Sequence, residues 1–245
     1  MINKTNHPLY RGQGERMQGI SVEFVDKMGS DISVSNSARV SFGKWKGEFD
    51  EKDAKLIDFL AREEHMTPFR HNAIQIRCKA PIFIARQLGK HQVGMSLNEV
   101  SRRYVDTTPE FFVPEMWRSR PEGGIKQGSG GEVSSDIKFE TEYYHGYCEY
   151  EETDVFGAYD YVVETCLNMY NQMLNKGVAP EMARMVLPQS MLTEWIWTGN
   201  LLAFAHVYKL RIGEHAQVEA QAFAKELDKV CREHFPVAWS ALVDK

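Results

Sequence analysis

Residues 73–88, AIQIRCKAPIFIARQL, contain the pattern of a strand followed by that of a helix. Ile74, Ile76 and Cys78 alternate with polar side chains, which is typical of a strand that buries one face. Pro81 suits the first turn of the helix that follows, because the N–H that proline lacks would have no partner there. The stretch therefore predicts a strand–helix unit, with Cys78 in the core.

The predicted helix after Pro81 has an apolar side and a polar side. Ile82, Ala85 and Leu88 would form its buried stripe. The other side carries polar groups spaced three and four residues apart, so these groups share one surface. They are Arg86, Gln87, Lys90 and His91. We interpret this surface as the first candidate for a functional site.

Patterns elsewhere predict strands first and helices later, which is typical of an α+β fold. A strand is predicted at 20–24, a helix that ends near Glu64, and helical structure from Tyr159 to the C-terminus. The last helix would bury a stripe formed by Val218, Ala222, Phe223, Leu227 and Val230. We expect one domain over residues 1–245, with a central, mostly antiparallel sheet flanked by helices and a helical C-terminal half. Clustered glycines and a Tyr/Glu-rich stretch mark residues 117–160 as a variable insertion.

The composition of the 245-residue chain excludes several classes of protein. Its 29 basic and 34 acidic side chains give a net charge of −5, which argues against broad nucleic-acid binding through phosphate contacts. No run of about 18 apolar residues is present to span a membrane. The polar segment Met1 to Tyr10 lacks the apolar core of a signal peptide. Four scattered cysteines without a C-x-x-C pair are typical of a reduced protein, so we expect a cytoplasmic location.

Three segments concentrate polar residues that could carry chemistry. The most polar is KHQVGMSLNEVSRRY, residues 90–104, where Lys and Arg offer donors for a phosphate and Ser and Asn can contact a base or sugar. The second contains Arg184 and the third contains Arg211. His206 and His215 flank Arg211 at a spacing seen among metal ligands. Without H-E-x-x-H and a third ligand, however, we expect no metal.

Motifs of three common enzyme classes are missing from the sequence. There is no G-x-G-x-x-G after a strand, no G-x-x-x-x-G-K-[ST] and no G-x-S-x-G. Their absence disfavours a Rossmann enzyme, a P-loop kinase and an α/β-hydrolase. None of the cysteines has the setting of a nucleophile.

Five blocks of the sequence, in order along the chain, resemble the flavin-dependent thymidylate synthases. Four of them are ARVSF at 38–42, HMTPFRH at 65–71, APIFIARQ at 80–87 and SLNEVSRRY at 96–104. The fifth begins with ARMVLP at 183–188 and continues through Asn200 and LR at 210–211 to HAQVE at 215–219. One block alone would be a weak indication, whereas five in the same order are specific.

The resemblance implies a methyltransferase that makes dTMP from dUMP with the methylene group of methylenetetrahydrofolate. It also implies a tightly held FAD, which NADPH reduces and which supplies the reducing equivalents as a hydride. The expected assembly is a homotetramer with active sites shared between subunits, and neither nucleic acid nor a membrane is an expected partner. The family uses no enzyme cysteine as nucleophile, which agrees with the setting of the cysteines here.

The resemblance assigns contacts with dUMP to eight residues. They are Gln87, Lys90, Glu99, Ser101, Arg102, Arg103, Arg184 and Arg211. Lys90 and Arg184 would grip the phosphate. Arg211 would be the catalytic residue, because a fixed cation at the uracil edge stabilises negative charge on the ring and makes carbon 5 more nucleophilic.

The resemblance assigns contacts with FAD to six residues. They are Thr67, Lys90, His91, Gln92, Asn200 and His206. His65 would lie near the edge of the folate or the flavin. Asn200 and His206 have a purely structural alternative, since each could cap a helix or pair within one.

The chain departs from the family pattern in two regions. Lys90 and Gln92 stand in place of two arginines, and one extra residue precedes Ser96. Arg70 stands where Glu is common, and Leu202 where Arg is common. Lysine keeps a positive charge but not the fork of arginine, so the nucleotide contacts would differ. These changes leave an alternative open, a non-catalytic relative that binds a nucleotide or flavin.

Overall fold

A computed structural model of the protein describes residues 17–123, 128–134, 136–144 and 148–244. The expectation that Met1–Tyr10 is not a signal peptide concerns a segment that lies outside the described residues.

The chain divides into two compact units. We call them the sheet unit, residues 14–99 with 193–245, and the hairpin unit, residues 100–192 in its described part. The single domain expected from the sequence stays a prediction.

Six strands and eight helices form within the described ranges. The strands are β1 (Ser21–Met28), β2 (Ala73–Pro81), β3 (Met95–Glu99), β4 (Phe139–Tyr144), β5 (Cys148–Thr153) and β6 (Leu192–Gly199). The helices are α1 (Asp31–Arg39), α2 (Glu51–Arg62), α3 (Ile82–Leu88), α4 (Val155–Asn175), α5 (Pro180–Ala183), α6 (Leu201–Ile212), α7 (Val218–His234) and α8 (Pro236–Val243). Short 3₁₀ helices occur at Val40–Phe42, Thr67–Arg70 and Arg184–Val186. Among these helices, none combines the length and apolar character needed to cross a bilayer.

The sheet unit is built on a four-stranded sheet with the strand order β1-β2-β6-β3. β1 pairs with β2, and β3 with β6, in antiparallel register. Val22 therefore lies opposite Cys78, and Leu97 opposite Trp197. This arrangement confirms the α+β fold with its antiparallel sheet, and the strand–helix unit at 73–88 is β2 followed by α3.

β6 lies inside the region that periodicity predicted to be helical. Thr193, Trp195 and Trp197 are buried, while Glu194 and Ile196 between them are more exposed. This alternation is that of a strand with one face in the core. The rest of the C-terminal half is mainly helical, as expected.

Aromatic rings join the buried face of β6 to two helices. The ring of Trp197 meets the ring of Phe204 in α6 edge-on, with 5.4 Å between centroids, and Trp195 stacks on Phe223 of α7 at 5.9 Å. Large buried rings remove much apolar surface from water, and such pairs add about 0.5–1.5 kcal/mol each beyond that. They therefore fix α6 and α7 on the sheet. Cys78 is fully buried on β2, as predicted.

The buried stripes of α3 and α7 differ from those predicted. In α3 the fully buried residues are Ile84 and Leu88, while Ile82 and Ala85 are only half-buried. In α7 the predicted Phe223 and Leu227 are buried, but Val218, Ala222 and Val230 are partly exposed, and the other buried apolar residues are Ala220, Ala224 and Cys231. The face with the alanines turns inward because α7 packs against α6 and β1, where small side chains allow a close approach.

The hairpin unit contains the predicted insertion at 117–160. β4 and β5 form an antiparallel hairpin in which Phe139 lies opposite Thr153. The Asp154 carboxylate then caps α4 by accepting a 2.9 Å hydrogen bond from the Gly157 N–H. The helix after the Tyr/Glu-rich stretch is thus as expected, whereas the hairpin was not anticipated.

We expect Phe223→Ala to lower the free energy of unfolding by about 3–5 kcal/mol, because it leaves a cavity between α7 and the two tryptophans of β6. Thermal and urea unfolding of the ligand-free protein would measure the loss. The matched control is Phe49→Ala, since Phe49 is 40% exposed, and its cost should be several-fold smaller. Equal effects of the two substitutions would contradict this assignment of the core.

Candidate functional site

The end of α6 and the end of α3 meet through Arg211. Its guanidinium Nη2 donates a 3.3 Å hydrogen bond to the backbone oxygen of Gln87 and lies 3.1 Å from His91 Nε2. The His91 N–H in turn bonds the carbonyl of Leu88 at 2.9 Å, which ends α3 in a tight turn. Three residues assigned from the sequence therefore form one cluster, although Arg211 is 124 positions from Gln87.

His91 is held in its neutral form. Burial lowers the pKa of its imidazole from the usual 6.5, and the nearby charges of Arg211 and His206 lower it further. Arginine can only donate, so His91 Nε2 is the acceptor of the pair and Nδ1 carries the ring proton. The ring thus presents one N–H donor away from Arg211.

Gln87 is also held from a second direction. Its side-chain Nε2 donates a 2.5 Å hydrogen bond to Oε1 of Gln217, the residue that precedes α7. The Nε of Arg211 is buried without a hydrogen-bond partner among the described residues. The cluster therefore contains a buried donor that an incoming polar ligand could satisfy.

Asn200, at the start of α6, contacts Gly94, which lies just before β3. Asn200 caps α6, because its Oδ1 accepts a 2.9 Å hydrogen bond from the Ala203 N–H. Its backbone N–H bonds the Gly94 carbonyl at 3.3 Å. Gly94 has a φ of +74°, and a Cβ there would collide with the Asn200 amide. Asn200 thus caps a helix, as its structural alternative holds, and its assignment as a FAD contact stays a prediction.

A separate cavity of about 650 Å³ opens between the α1–α2 connection and the 3₁₀ helix at Thr67–Arg70. Phe42, Leu56, Phe59 and Leu60 give it apolar walls. Polar groups around these walls come from Ser37, Arg39, Ser41, Lys44, His65, Thr67 and His71. His65 and Thr67, both assigned from the sequence, thus line one cavity. Such a lining suits a flat aromatic ligand with polar and anionic substituents.

Other assigned residues occupy different surroundings. Within the sheet unit, Glu99 Oε1 accepts a 2.7 Å hydrogen bond from the Thr193 hydroxyl, while Lys90, Gln92 and His206 are exposed. In the hairpin unit, the Arg103 Nε donates to Ser101 Oγ at 3.3 Å, and its guanidinium lies 5.1 Å from the centre of the Tyr104 ring. Arg102 donates to the Thr107 carbonyl, and Arg184 to the Glu181 carbonyl at 3.2 Å.

The cations of the chain fall into two groups. One group pairs with carboxylates, and it includes Arg39 and Lys46 with Asp53, Arg77 with Glu194 and Arg232 with Asp228. The other group has no carboxylate partner within the described ranges. It includes Lys90, Arg102, Arg103, Arg184 and Arg211, and also cations outside the assigned set such as Lys44, Arg70 and Arg86. The five assigned to dUMP therefore keep a charge that an anionic ligand can use, although the lack of a carboxylate partner is not unique to them.

Sequence reasoning missed two parts of this arrangement. Gln217 lay in a quoted block without a role, and no local pattern links it to Gln87, 130 positions earlier. The wall at 37–44 contains the ARVSF block, which was also quoted without a role. The ARVSF block and His65 line the same cavity although they are more than 20 positions apart, so no local pattern indicates their proximity. As for metals, no cluster of three or more His, Cys, Asp or Glu in the described part of the chain could hold one.

Comparison with known proteins identifies the family. Residues 23–237 match the family profile described as thymidylate synthase complementing protein. The chain belongs to this family. Members named flavin-dependent thymidylate synthase include one from Thermus thermophilus, which is 36% identical over 220 residues, 90% of this chain and 74% of that protein. The one from Kosmotoga olearia is 36% identical over 223 residues, 91% of this chain and 90% of that protein.

Solved structures agree with this membership. The crystal structure of the UMP/dUMP methylase PolB from Streptomyces cacaoi bound with 5-Br dUMP is similar, with a TM-score of 0.75 and 29% identity. The similarity covers 91% of this chain and 93% of that one. The resemblance deduced from the five blocks is confirmed. Because these relatives are enzymes by name, the non-catalytic alternative is not favoured.

The neutral His91 predicts a pH-dependent stability. Its folded pKa is below 6.5, so the unfolded chain binds the proton more tightly. The contribution of the His91 ring to the free energy of unfolding is complete above pH 6.5. It decreases as the pH falls from 6.5 toward the folded pKa. Unfolding midpoints at about pH 7.5 and about pH 5.5 should show a smaller acid loss for His91→Gln than for the wild type.

The control for this measurement is His215→Gln, because the His215 side chain is 70% exposed. This variant should lose stability in acid as the wild type does. Identical pH dependence of wild type and His91→Gln would contradict the neutral state inferred for His91.

The backbone conformation of Gly94 predicts that two glycine-to-alanine substitutions differ in their effect on the free energy of unfolding. Gly94→Ala adds both positive-φ strain, about 1–2 kcal/mol, and the collision with Asn200. The control is Gly177→Ala, where φ is +85° but nothing lies within 4 Å of the added Cβ. We expect Gly94→Ala to be the more destabilised variant by at least about 1 kcal/mol in thermal unfolding. Equal losses would show that the Asn200 contact is unimportant.

Proposed function

We propose that this chain is a flavin-dependent thymidylate synthase, which converts dUMP to dTMP with methylenetetrahydrofolate as the carbon donor and NADPH as the reductant. Membership in the thymidylate synthase complementing protein family and the names of the relatives support this function. The dUMP analogue in the Streptomyces cacaoi methylase supports the substrate. The structural observation that carries the proposal is the cluster of Arg211 with Gln87 and His91, in which Arg211 has no carboxylate partner among the described residues.

We assign the phosphate of dUMP to Lys90 and Arg184. Lys90 is an exposed cation two residues after the end of α3. Arg184 uses only its Nε to donate to the Glu181 carbonyl. The outer nitrogens of Arg184 remain for a bidentate contact, which Lys90 complements with a point charge. Arg102 and Arg103 would add further donors.

The remaining polar groups suit the base and the sugar. The Gln87 side chain both donates and accepts, as recognition of a uracil edge requires. Glu99 keeps one carboxylate oxygen free beyond its bond to Thr193, and that oxygen can accept from a sugar hydroxyl. The Ser101 hydroxyl is held beside Arg103 and completes this set.

Arg211 is assigned the catalytic role. Its partners in the described cluster are the carbonyl of Gln87 and the neutral ring of His91, so its charge is not cancelled. A fixed cation at the uracil carbonyl would stabilise the negative charge that develops when carbon 5 attacks the methylene group. Preorganised stabilisation of this kind is worth several kcal/mol.

The residues of the large cavity fit a flavin. Its apolar walls can cover a flat ring, and Thr67 and His65 supply hydrogen-bonding groups at that cavity. We propose Thr67, Lys90, His91, Gln92, Asn200 and His206 as FAD contacts, with His65 near the folate or flavin edge. His91 would offer its Nδ1–H, and Asn200 its amide Nδ2. When bound, FAD carries the hydride from NADPH to the methylene-derived group.

We also propose a homotetramer with shared active sites, in the cytoplasm. Large apolar side chains are exposed next to assigned residues, notably Val93 at 92%, Phe42 at 79% and Leu210 at 63%. Exposed apolar surface beside a site favours a covering subunit. Cys78, Cys166 and Cys231 are free thiols, as suits a reducing compartment.

Cofactor content tests the proposal directly. The purified protein, or the protein reconstituted with FAD, should show a flavin absorbance band and should oxidise NADPH with formation of dTMP from dUMP. The product should be followed by chromatography in the presence of methylenetetrahydrofolate. A colourless protein that takes up no flavin would overturn the proposal.

Substitution of Arg211 tests the catalytic assignment. Arg211→Ala should lower kcat by about 100-fold or more while FAD stays bound. Arg211→Lys should recover part of the rate, because it restores the charge but not both hydrogen bonds. The control is Arg62→Ala, since Arg62 forms exposed ion pairs with Asp58 and Glu63. Unchanged turnover in Arg211→Ala would remove the role assigned to this residue.

A further inference from the structure

One wall of the large cavity is a short connection with little apolar anchoring. Residues 37–44 form it, and they run from the end of α1 through the 3₁₀ helix at Val40–Phe42. Phe42 is 79% exposed and Val40 is 65% exposed. Burial of apolar side chains therefore does not hold this wall, and its position depends on polar contacts.

Asp53, near the start of α2, supplies these contacts. Its side chain is fully buried. Oδ1 accepts hydrogen bonds from the Ser35 hydroxyl at 2.9 Å and from the Arg39 guanidinium. Oδ2 accepts from Lys46 Nζ at 2.7 Å and from the Asp50 N–H at 2.9 Å. One carboxylate thus joins α1, the connection and the start of α2.

Of the two cations held by Asp53, one lies within the wall and the other lies just beyond its C-terminal end. Arg39 is part of the cavity lining. Lys46 lies two residues beyond the end of the wall at Lys44. The backbone of Lys46 is fixed a second time, because Asn36 Nδ2 donates to its carbonyl at 2.8 Å and its N–H donates to Asn36 Oδ1 at 3.1 Å. The connection is therefore clamped at both ends.

The clamp needs a charged carboxylate. Burial raises the pKa of Asp53, but the hydrogen bonds from Lys46, Asp50, Arg39 and Ser35 outweigh burial and leave it well below its usual value. An asparagine of the same shape would turn its NH₂ group toward either Arg39 or Lys46. That cation would then face a donor instead of an acceptor.

We propose that Asp53 is a positioning residue of the cofactor cavity, which acts by holding Arg39 and Lys46 so that residues 37–44 form a fixed wall opposite His65 and Thr67. This inference rests on the proposed function, because it takes the cavity to receive FAD. Asp53 itself is not part of the cavity lining, so its effect on the cofactor passes through the wall.

FAD affinity of Asp53→Asn tests this role. Titration of the apoprotein with FAD, followed by flavin fluorescence, should give a Kd about tenfold or more above that of the wild type. At saturating FAD the KM for dUMP should stay within about twofold, because none of the residues assigned to dUMP lies in the wall. A loss of folding stability alone would not separate these two constants.

Two further variants keep the test decisive. Lys46→Met removes one partner of Asp53 on a side chain that is not part of the cavity lining, and it should raise the Kd for FAD about threefold. The matched control is Asp31→Asn, a buried carboxylate that accepts from the Val237 and Ala238 N–H groups at 3.1 and 2.8 Å. Its affinity for FAD should equal that of the wild type.

The outcomes separate the inference from the function. A wild type that binds no FAD would overturn the proposed function. A wild type that binds FAD, with the same Kd in Asp53→Asn and Lys46→Met, would overturn the positioning role alone. If Asp53→Asn fails to fold, Lys46→Met decides. An equal loss in Asp31→Asn would reduce the effect to general destabilisation and overturn the positioning role.

Discussion

The contact of Trp197 with Phe204 is the constraint on which the site in the sheet unit depends. It locks α6 onto β6 directly after the Asn200 cap, so the axis of α6 is set at its first turn. The helix then carries Arg211 about three turns further, to the carbonyl of Gln87 at the end of α3. α3 follows β2 directly along the chain, and β2 belongs to the same sheet as β6. Both partners of this hydrogen bond are therefore held by helices that are attached to one sheet. The guanidinium is thereby preorganised, which electrostatic stabilisation of a transition state requires.

Much of the fold could be predicted from the sequence because its elements have clear periods. β1, β2 and α2 each show the alternation or helical spacing of a half-buried element. β6 was missed because helical periodicity, interrupted only at Pro180, Pro188 and Gly213, was extended over the whole region from Tyr159 onward. Its period of two at Thr193, Trp195 and Trp197 was present, and the two tryptophans are typical of strands. The stripe of α7 was misplaced because its alanines face inward, and only the close approach to α6 and β1 selects that face.

The candidate site was predictable where its residues are close in sequence. Gln87, Lys90 and His91 follow from one helix face, and the structure keeps two of them together at Arg211. Arg211 itself required the family resemblance, since no local pattern links it to a residue 124 positions earlier. Gln217 and the wall at 37–44 were beyond sequence reasoning altogether. Each is brought to the site by contacts between segments that are distant in the sequence, and such contacts depend on how the neighbouring elements pack.

The surroundings of the two cations held by Asp53 differ from those of Arg211. Asp53 pairs with Arg39 and Lys46, Lys46 also pairs with Asp50, and these contacts hold backbone in place. Arg211 instead meets a carbonyl and an imidazole whose pKa is lowered below its usual value by burial, by Arg211 and by His206. A carboxylate partner at Arg211 would cancel the field that an anionic pyrimidine needs, whereas a neutral acceptor orients the guanidinium and leaves its charge intact. The chain carries a net charge of −5, so acidic groups are plentiful. Arg211 nonetheless has no carboxylate partner within the described residues, so its charge stays available to an anionic ligand.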